Sequence, residues 1–187
     1  MTATATPSDG PLRVVVLRAL GLGDLLTAVP ALRALRDRYP QAVITLAAPA
    51  VLAPIAALAD QPGAEGETGA ARVVDEVADT APLSALAPSL HHADLAVNLH
   101  GRGPESTRLL LDTGPRRLVT FANDALPMTR RSPRWRPDEH ETTRWCRLLT
   151  ESGTPADPRR LELRRPWDPS PVPGAAIVHP GAGAPAR

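Results

Sequence analysis

Short apolar runs rich in β-branched residues alternate with helix-length segments along most of this chain. Clear examples are residues 12–17 (LRVVVL), 42–48 (AVITLAA) and 94–99 (DLAVNL). Runs of this length are typical of buried strands, and strands that alternate with helices build a mostly parallel sheet covered on both faces. The pattern therefore predicts the α/β class with a Rossmann-like sheet.

Between residues 12 and 153 the predicted elements are five strands and five helices. Strands are predicted at residues 12–17, 42–48, 72–75, 94–99 and 117–121. A first helix follows Asp24 and ends at Tyr39, and Pro30 is expected to kink it or to mark its first turn. The other helices are predicted at residues 50–60, 82–92, 105–111 and 138–152, with Asp138 as the cap of the last and Gly153 as its end.

Composition excludes several classes of protein. All 21 basic residues are arginines, so a P-loop and a Schiff-base lysine are absent. The formal net charge of +1 does not favour a nucleic-acid partner. The single cysteine, Cys146, excludes an internal disulfide and a zinc site built from cysteines. No apolar run approaches the roughly 20 residues of a membrane span and residues 1–10 lack a signal peptide, so a cytoplasmic protein is expected.

Asp24 is the most informative carboxylate of the sequence. It lies in a glycine-containing turn after the first strand, and parallel sheets place their sites at the carboxyl ends of strands. One interpretation is an N-cap and the other is a general base that faces a cleft. A helix N-terminus favours the ionised carboxylate and weakens it as a base, which a base that accepts its proton late can tolerate.

The turn after the fourth strand reads His100-Gly101-Arg102-Gly103. Its glycines permit close approach of a ligand, and Arg102 could bind a carboxylate or a phosphate. The alternative is a tight turn with a surface arginine.

Residues 122–137, after the fifth strand, predict an irregular basic loop with four arginines around Trp135. One interpretation is that this loop holds an anionic acceptor or contacts a membrane surface. The other is that it is a solvated loop with Trp135 packed inward. The arginines are Arg130, Arg131, Arg134 and Arg136.

Two familiar kinds of site match the sequence poorly. The pair Gly21 and Gly23 begins a dinucleotide fingerprint, but Leu26 stands where the third glycine belongs and no acidic residue follows the second strand. A nucleotide-dependent oxidoreductase stays open as an alternative enzyme class. No D-x-D occurs and the histidines lack metal-ligand spacing, so no metal site is predicted.

Proline and glycine divide the end of the chain. Residues 154–174 are proline-rich and predict a linker. Residues 175–178 then predict a strand, and residues 179–187 a glycine-rich turn where a helix would follow. The predicted organisation is a flexible tail at 1–11, one domain at 12–153, the linker, and at 175–187 the start of a second, truncated domain.

Several of these segments resemble glycosyltransferase family 9, the ADP-heptose:lipopolysaccharide heptosyltransferase family. The resemblance covers nearly the whole chain and is most specific in the Gly-Asp turn together with the terminal PGAGAPAR. The segments that carry it are 12–40, 42–49, 94–106, 139–149 and 178–187.

The resemblance implies that the chain is the N-terminal half of a GT-B architecture, in which this half takes the acceptor and the other half takes the nucleotide-sugar donor. The implied reaction is inverting sugar transfer without a metal or a cofactor, in lipopolysaccharide biosynthesis. Asp24 matches the catalytic base of the family, and Arg187 matches a basic residue that contacts the donor phosphate. Predicted acceptor-binding residues are Gly21, Gly23, His100, Arg102 and Arg131; predicted donor-binding residues are His179, Gly181, Ala182, Gly183 and Arg187.

The partners implied are a nucleotide-sugar and a glycan acceptor, without nucleic acid, and with peripheral contact to the inner membrane surface. A monomer is expected. Because most of the donor half is missing, this chain alone is expected to be inactive. The competing hypothesis is a non-catalytic acceptor-binding or regulatory module.

Overall fold

A computed structural model describes residues 10–60, 72–166 and 168–176. Within them, five strands form one sheet in the order β3-β2-β1-β4-β5, and every pairing between these strands is parallel. The predicted α/β class and Rossmann-like parallel sheet are therefore confirmed. The strands are β1 Arg13–Leu17, β2 Val43–Ala48, β3 Glu76–Asp79, β4 Leu95–Asn98 and β5 Arg117–Val119.

Helices cover both faces of the sheet. The α-helices are α1 Leu22–Arg38, α2 Ala53–Ala57, α3 Pro104–Asp112 and α4 Glu141–Glu151. Single 3₁₀ turns occur at Ala50–Leu52, Pro88–Leu90 and Pro127–Thr129. Gly153 follows α4 with a φ of 94°, a left-handed conformation that suits glycine, and it ends this helix as predicted.

Alternation along β1 explains why both faces need cover. Val14 and Val16 belong to the larger core, which α1 and α4 cover, whereas Val15 and Leu17 belong to the smaller core with Leu110 of α3. Burial of each such side chain contributes about 1.5–3 kcal/mol. A strand buried on both faces reads as a continuous apolar run, and this is why the central strands were predictable.

The first helix differs from its prediction at its start. It begins at Leu22 and continues through the buried Pro30, so the alternative that Pro30 marks its first turn is wrong. A proline inside a helix removes one hydrogen bond at a cost of about 3 kcal/mol. The packing of Leu25, Leu32 and Leu35 into the larger core offsets that cost.

The third strand was predicted at residues 72–75, but it lies at Glu76–Asp79. The carboxylate of Asp75 accepts a hydrogen bond from the backbone of Ile44 at 2.7 Å, and the regular register begins one residue later, where Glu76 pairs with Thr45. This strand is at the edge of the sheet and has no continuous apolar run. The two valines just before it form a stronger apolar pattern, and the strand was therefore predicted too early in the sequence.

The helix predicted at residues 82–92 is absent. This segment contains the 3₁₀ turn at Pro88–Leu90, and Leu83 adopts a φ of 52°. Pro82 and Pro88 cannot donate backbone hydrogen bonds, and a left-handed leucine is incompatible with a continuous right-handed helix.

The last helix begins at Glu141, and its cap is His140, not the predicted Asp138. The Nδ1 atom of His140 accepts a hydrogen bond from the backbone N–H of Thr142, which is the role a capping side chain performs.

The beginning of the predicted linker packs on the domain. Buried Arg33 of α1 donates to the carbonyls of Arg160 and Glu162, and the backbone N–H of Arg164 donates to Leu58. Of the strand predicted at 175–178, the described residues 175 and 176 have no regular structure, and the other two lie outside the described residues.

Candidate active site

The order of the strands creates a crevice between β1 and β4. The chain leaves β1 for α1 on one face of the sheet, and it leaves β4 for α3 on the other face. Ligands of open α/β sheets bind outside the carboxyl ends of the strands at such a switch point. Residues 18–24 follow β1 and residues 99–103 follow β4, so both predicted turns flank this crevice.

Arg18 occupies the centre of this edge, directly after β1, and only 1% of its surface is exposed. Its Nε atom donates to the carbonyl of Asp24 at 2.9 Å, and its Nη1 atom donates to the carbonyl of Leu99. The guanidinium lies 4.8 Å from the centre of the Trp145 ring. Burial is the largest influence on the pKa of Arg18 and lowers it, whereas the carboxylates of Asp24 and Glu141 act in the opposite direction.

Asp24 lies in the first turn of α1 and is not its cap. The cap is Gly21, which makes no side-chain hydrogen bond, so the N-cap interpretation of Asp24 is wrong. The Oδ1 atom of Asp24 accepts a hydrogen bond from Nη2 of Arg18 at 3.1 Å. The side chain is 45% exposed, and Oδ2 has no hydrogen-bond partner among the described residues. One oxygen is thus anchored while the other faces outward.

Glu141 brings a second carboxylate to the same guanidinium. Its Oε2 atom lies 3.5 Å from Nη2 of Arg18, its other oxygen pairs with Arg144, and its side chain is 38% exposed. Neither Arg18 nor Glu141 was singled out from the sequence. The available signals were a basic residue at the end of a buried strand and a glutamate in the first turn of a helix.

His100 follows β4 and is partly buried. Its backbone N–H donates to Oδ1 of Asn98 at 3.0 Å, and the amide of this buried asparagine bonds in turn to Ser106 and Thr107 of α3. Burial lowers the pKa of His100, and the positive charge of Arg18 lowers it further. The Nδ1 atom is buried without a partner in the described part of the chain.

Gly21 and Gly23 are exposed in the turn beside Asp24. A side chain added at Gly23 would contact nothing within 4 Å, and one added at Gly21 would meet only Oδ2 of Asp24 at 3.8 Å. The backbone is therefore open to approach from solvent at the point where Asp24 presents its free oxygen.

Arg102 is exposed on the turn after β4 and lines a cleft of about 610 Å³. Arg130, Arg134 and Trp135 of the basic loop also line this cleft. Arg131 does not line this cleft; it contributes to a separate surface depression with Pro127 and Met128. Of the two arginines predicted to bind the acceptor, only Arg102 thus faces this cleft.

Aromatic and arginine side chains fix the basic loop at residues 122–137. Trp135 packs inward against Phe121, with ring centres 5.1 Å apart, and this confirms the inward-packed interpretation of Trp135. The guanidinium of Arg144 lies 4.1 Å from the centre of the Trp135 ring and donates to the loop carbonyls of Arg136 and Pro137. The wall of the cleft is therefore held in place by α4.

The predicted donor-binding residues His179, Gly181, Ala182, Gly183 and Arg187 lie outside the described residues. Among the residues that are described, no group of three or more His, Cys, Asp or Glu side chains is arranged to hold a metal ion. None of the helices in the described ranges has the length and apolar character needed to cross a membrane.

The described residues form a Rossmann-like parallel sheet, a fold that this chain shares with solved glycosyltransferases. No protein-family model matches the sequence, and no curated protein matches it. A glycosyl transferase of family 9 from Veillonella parvula DSM 2008 shares the fold with a TM-score of 0.55 and 17% identity, over 78% of this chain and 42% of that one.

Two structures of the heptosyltransferase WaaC from E. coli are also similar. The complex with ADP matches with a TM-score of 0.55 and 16% identity, over 79% of this chain and 49% of WaaC. The complex with ADP-2-deoxy-2-fluoro heptose matches with a TM-score of 0.53 and 16% identity, over 79% and 50%. The chain thus spans about half the length of the structures that it matches, and the fold implied by the resemblance is confirmed.

Proposed function

We propose that this chain is the acceptor-binding half of an inverting glycosyltransferase in which Asp24 is the general base. The observation that carries this proposal is the placement of Asp24 at the switch point, on a side chain that is 45% exposed, with one carboxylate oxygen held by Arg18 and the other without a partner among the described residues. The likeness in fold to glycosyltransferases supports the same function.

The chemistry follows from that geometry. An acceptor hydroxyl donates its hydrogen bond to Oδ2 of Asp24. As the acceptor oxygen forms its bond to the anomeric carbon of the donor sugar, its proton passes to Asp24. The bond from the anomeric carbon to the diphosphate oxygen breaks with its electron pair, and in-line displacement inverts the anomeric carbon. The negative charge on the leaving diphosphate requires fixed positive groups. We assign that role to His179, Gly181, Ala182, Gly183 and Arg187, through their backbone N–H groups and the charge of Arg187.

The substrates proposed are a donor of the ADP-heptose type and an anionic, lipopolysaccharide-like glycan acceptor. Two of the similar structures hold ADP and an ADP-heptose analogue, which supports this choice of donor. Arg102, Arg130 and Arg134 line the cleft beside the crevice, and their guanidinium groups suit carboxylates or phosphates of an acceptor. No metal or cofactor takes part in the proposed reaction.

We further propose a monomer that works in the cytoplasm and touches the inner membrane surface. The support for the membrane contact is the middle of the basic loop, where Met128 is 67% exposed next to the exposed Arg130 and Arg131. An apolar side chain flanked by cations suits an anionic lipid surface.

Transfer is tested with ADP-heptose and lipopolysaccharide of truncated core, comparing the complete gene product with residues 1–187 alone. We expect ADP release by the complete protein, a product of inverted anomeric configuration in its NMR spectrum, and no turnover by the 187-residue chain. Turnover by the short chain would contradict the assignment of the donor site to a further half. Binding of the acceptor without transfer by the complete protein would favour the non-catalytic module.

A further inference from the structure

We propose that Arg18 is the positioning residue of this site and holds the carboxylate of Asp24 so that its free oxygen faces the acceptor. This inference rests on the proposed function of Asp24. Arg18 itself is buried, so it acts through Asp24.

The contacts of Arg18 join four parts of the domain. From its place after β1, it donates to the backbone carbonyl and the Oδ1 atom of Asp24 and to Oγ1 of Thr27, all in α1. It also donates to the carbonyl of Leu99 after β4 and to Glu141 of α4. The Asp24 carboxylate is therefore fixed relative to both turns that flank the crevice.

This arrangement suits a functional site better than a purely structural core. Burying a guanidinium is costly, and an apolar side chain could fill the space beside Trp145 without that cost. The side chains of Asp24 and Glu141, whose carboxylates Arg18 binds, are 45% and 38% exposed. A buried charge therefore holds two partly exposed carboxylates in place.

The shape of the guanidinium makes Arg18 specific for this task. Its Nε and Nη2 atoms reach the main chain and the side chain of the same residue, Asp24, at 2.9 and 3.1 Å. This two-point contact fixes the direction of the carboxylate as well as its charge. A lysine ammonium keeps the charge, but it is a point donor and cannot reproduce the planar fork.

A double-mutant cycle with Arg18→Lys and Asp24→Asn in the complete protein tests the proposal, using ADP release from ADP-heptose with core-truncated lipopolysaccharide. We expect Arg18→Lys to lower kcat about 10- to 100-fold with little change in acceptor KM, because the base is misaligned. In the Asp24→Asn background, the same change is expected to have no further effect on kcat, because residues that act as a unit are not additive.

Arg36→Lys is the matched control, since Arg36 is also largely buried and paired with an aspartate, Asp75, at the far edge of the sheet. Its kcat is expected to stay near that of the unsubstituted protein. The proposal is overturned if Arg18→Lys and Arg36→Lys have equal effects, or if the Arg18 and Asp24 effects multiply in the double variant. If the unsubstituted protein transfers no sugar, the proposed function itself fails, which is a different result.

Thermal unfolding of each variant separates misalignment from loss of fold. Should Arg18→Lys fail to fold, Thr27→Val loosens the same guanidinium and keeps its charge. This variant is then expected to lower kcat about fivefold, as loss of one hydrogen bond would. An unchanged kcat in folded Thr27→Val overturns the proposal in that case.

Discussion

Arg18, the central side chain of the candidate site, is positioned in part by residues that lie far away in the sequence. Arg18 meets the carbonyl of Leu99 and the carboxylate of Glu141, and His100 follows an asparagine whose amide is fixed by α3. Such contacts form only when the whole sheet is assembled. The site is therefore a product of the fold and not of one local motif.

The imidazole of His100 should make stability depend on pH. Its pKa is lowered in the folded state by burial, then by Arg18, with Asp24 opposing. The unfolded chain binds a proton near pH 6.5, so the contribution of His100 is present above that pH and is lost as the pH falls through the lower, folded pKa. We expect the free energy of unfolding to fall between about pH 7 and pH 5 in urea titrations.

His100→Gln is expected to reduce the fall in the free energy of unfolding between about pH 7 and pH 5. The control is His92→Asn, because His92 is exposed and asparagine tolerates its left-handed backbone. If His100→Gln leaves the pH dependence of the free energy of unfolding unchanged, or if His92→Asn reduces it equally, that dependence does not come from the lowered pKa of His100.

Asp24 could be found from the sequence and Arg18 could not, for a physical reason. Glycines beside a carboxylate after a buried strand are a local pattern, and the carboxyl end of a parallel strand is a known location of sites. Whether an arginine at the end of a strand points into solvent or under a helix depends on packing with distant residues, here Trp145 and Glu141. The choice between cap and base likewise depended on where α1 begins, and boundaries are the least predictable feature of a helix.

At the scale of elements, buried Arg33 connects α1 to the segment that follows α4. It donates to the carbonyls of Ala59, Arg160 and Glu162, so two segments of the backbone depend on it. The proline-rich composition of residues 154–174 predicts a linker, but its first residues are held against the domain.

Arg33→Met should release this segment. We expect the free energy of unfolding to fall by about 1–3 kcal/mol, because the buried carbonyl of Ala59 and the partly buried carbonyls of Arg160 and Glu162 lose their donor. Hydrogen exchange of residues 159–164 should accelerate in the same variant. Arg38→Met, at an exposed position of the same helix, provides the comparison. Equal protection of residues 159–164 in both variants would show that Arg33 does not hold the segment.

The basic loop at residues 122–137 should bind anionic membranes through Met128, Arg130 and Arg131, which we call its tip. We expect the chain to co-sediment with vesicles of about 30% phosphatidylglycerol in phosphatidylcholine, and not with pure phosphatidylcholine. Arg130→Ser and Arg131→Ser should each weaken binding about fivefold, since one cation near such a surface contributes about 1 kcal/mol. Met128→Ser should weaken it as well.

Arg108→Ser is the matched control, because Arg108 is an exposed arginine on α3, away from the loop. A loss of binding as large as that of Arg130→Ser would indicate a general charge effect without a defined surface. Binding unaffected by Met128→Ser and Arg131→Ser would exclude the tip of the loop as the contact.

The elements that could be predicted are those whose burial leaves a direct trace in the sequence. β1, β2 and β4 lie in the interior of the sheet and appear as continuous apolar runs, within one residue or two of their observed bounds. β3 is an edge strand, and its bounds depend on Asp75 and on its register with β2. The segment before β4 reads as helical by its apolar spacing, but the two prolines and the left-handed Leu83 determine its conformation.

At the scale of the molecule, the described residues provide one side of a crevice. The carboxyl ends of β1 and β4 present Asp24, His100 and Arg102, and the basic loop forms a wall beside them. Because the chain spans about half the length of the glycosyltransferase structures it matches, the proposed reaction needs a further half to hold the donor. Contacts of Arg18 with α1, α4 and the turn after β4 hold the part of the site around Asp24 together within this domain.

The role of Asp24 as the base is tested most directly by the rate of ADP release from the complete protein after Asp24→Asn, with ADP-heptose and core-truncated lipopolysaccharide as substrates. Asparagine preserves the shape of the side chain but cannot accept the proton, so we expect kcat to fall at least about 100-fold, as loss of a general base does, in a protein that remains folded. Asp112→Asn, at an exposed position of α3, should leave the rate unaltered. A kcat of Asp24→Asn within twofold of the unsubstituted protein would contradict the central claim that Asp24 is the base.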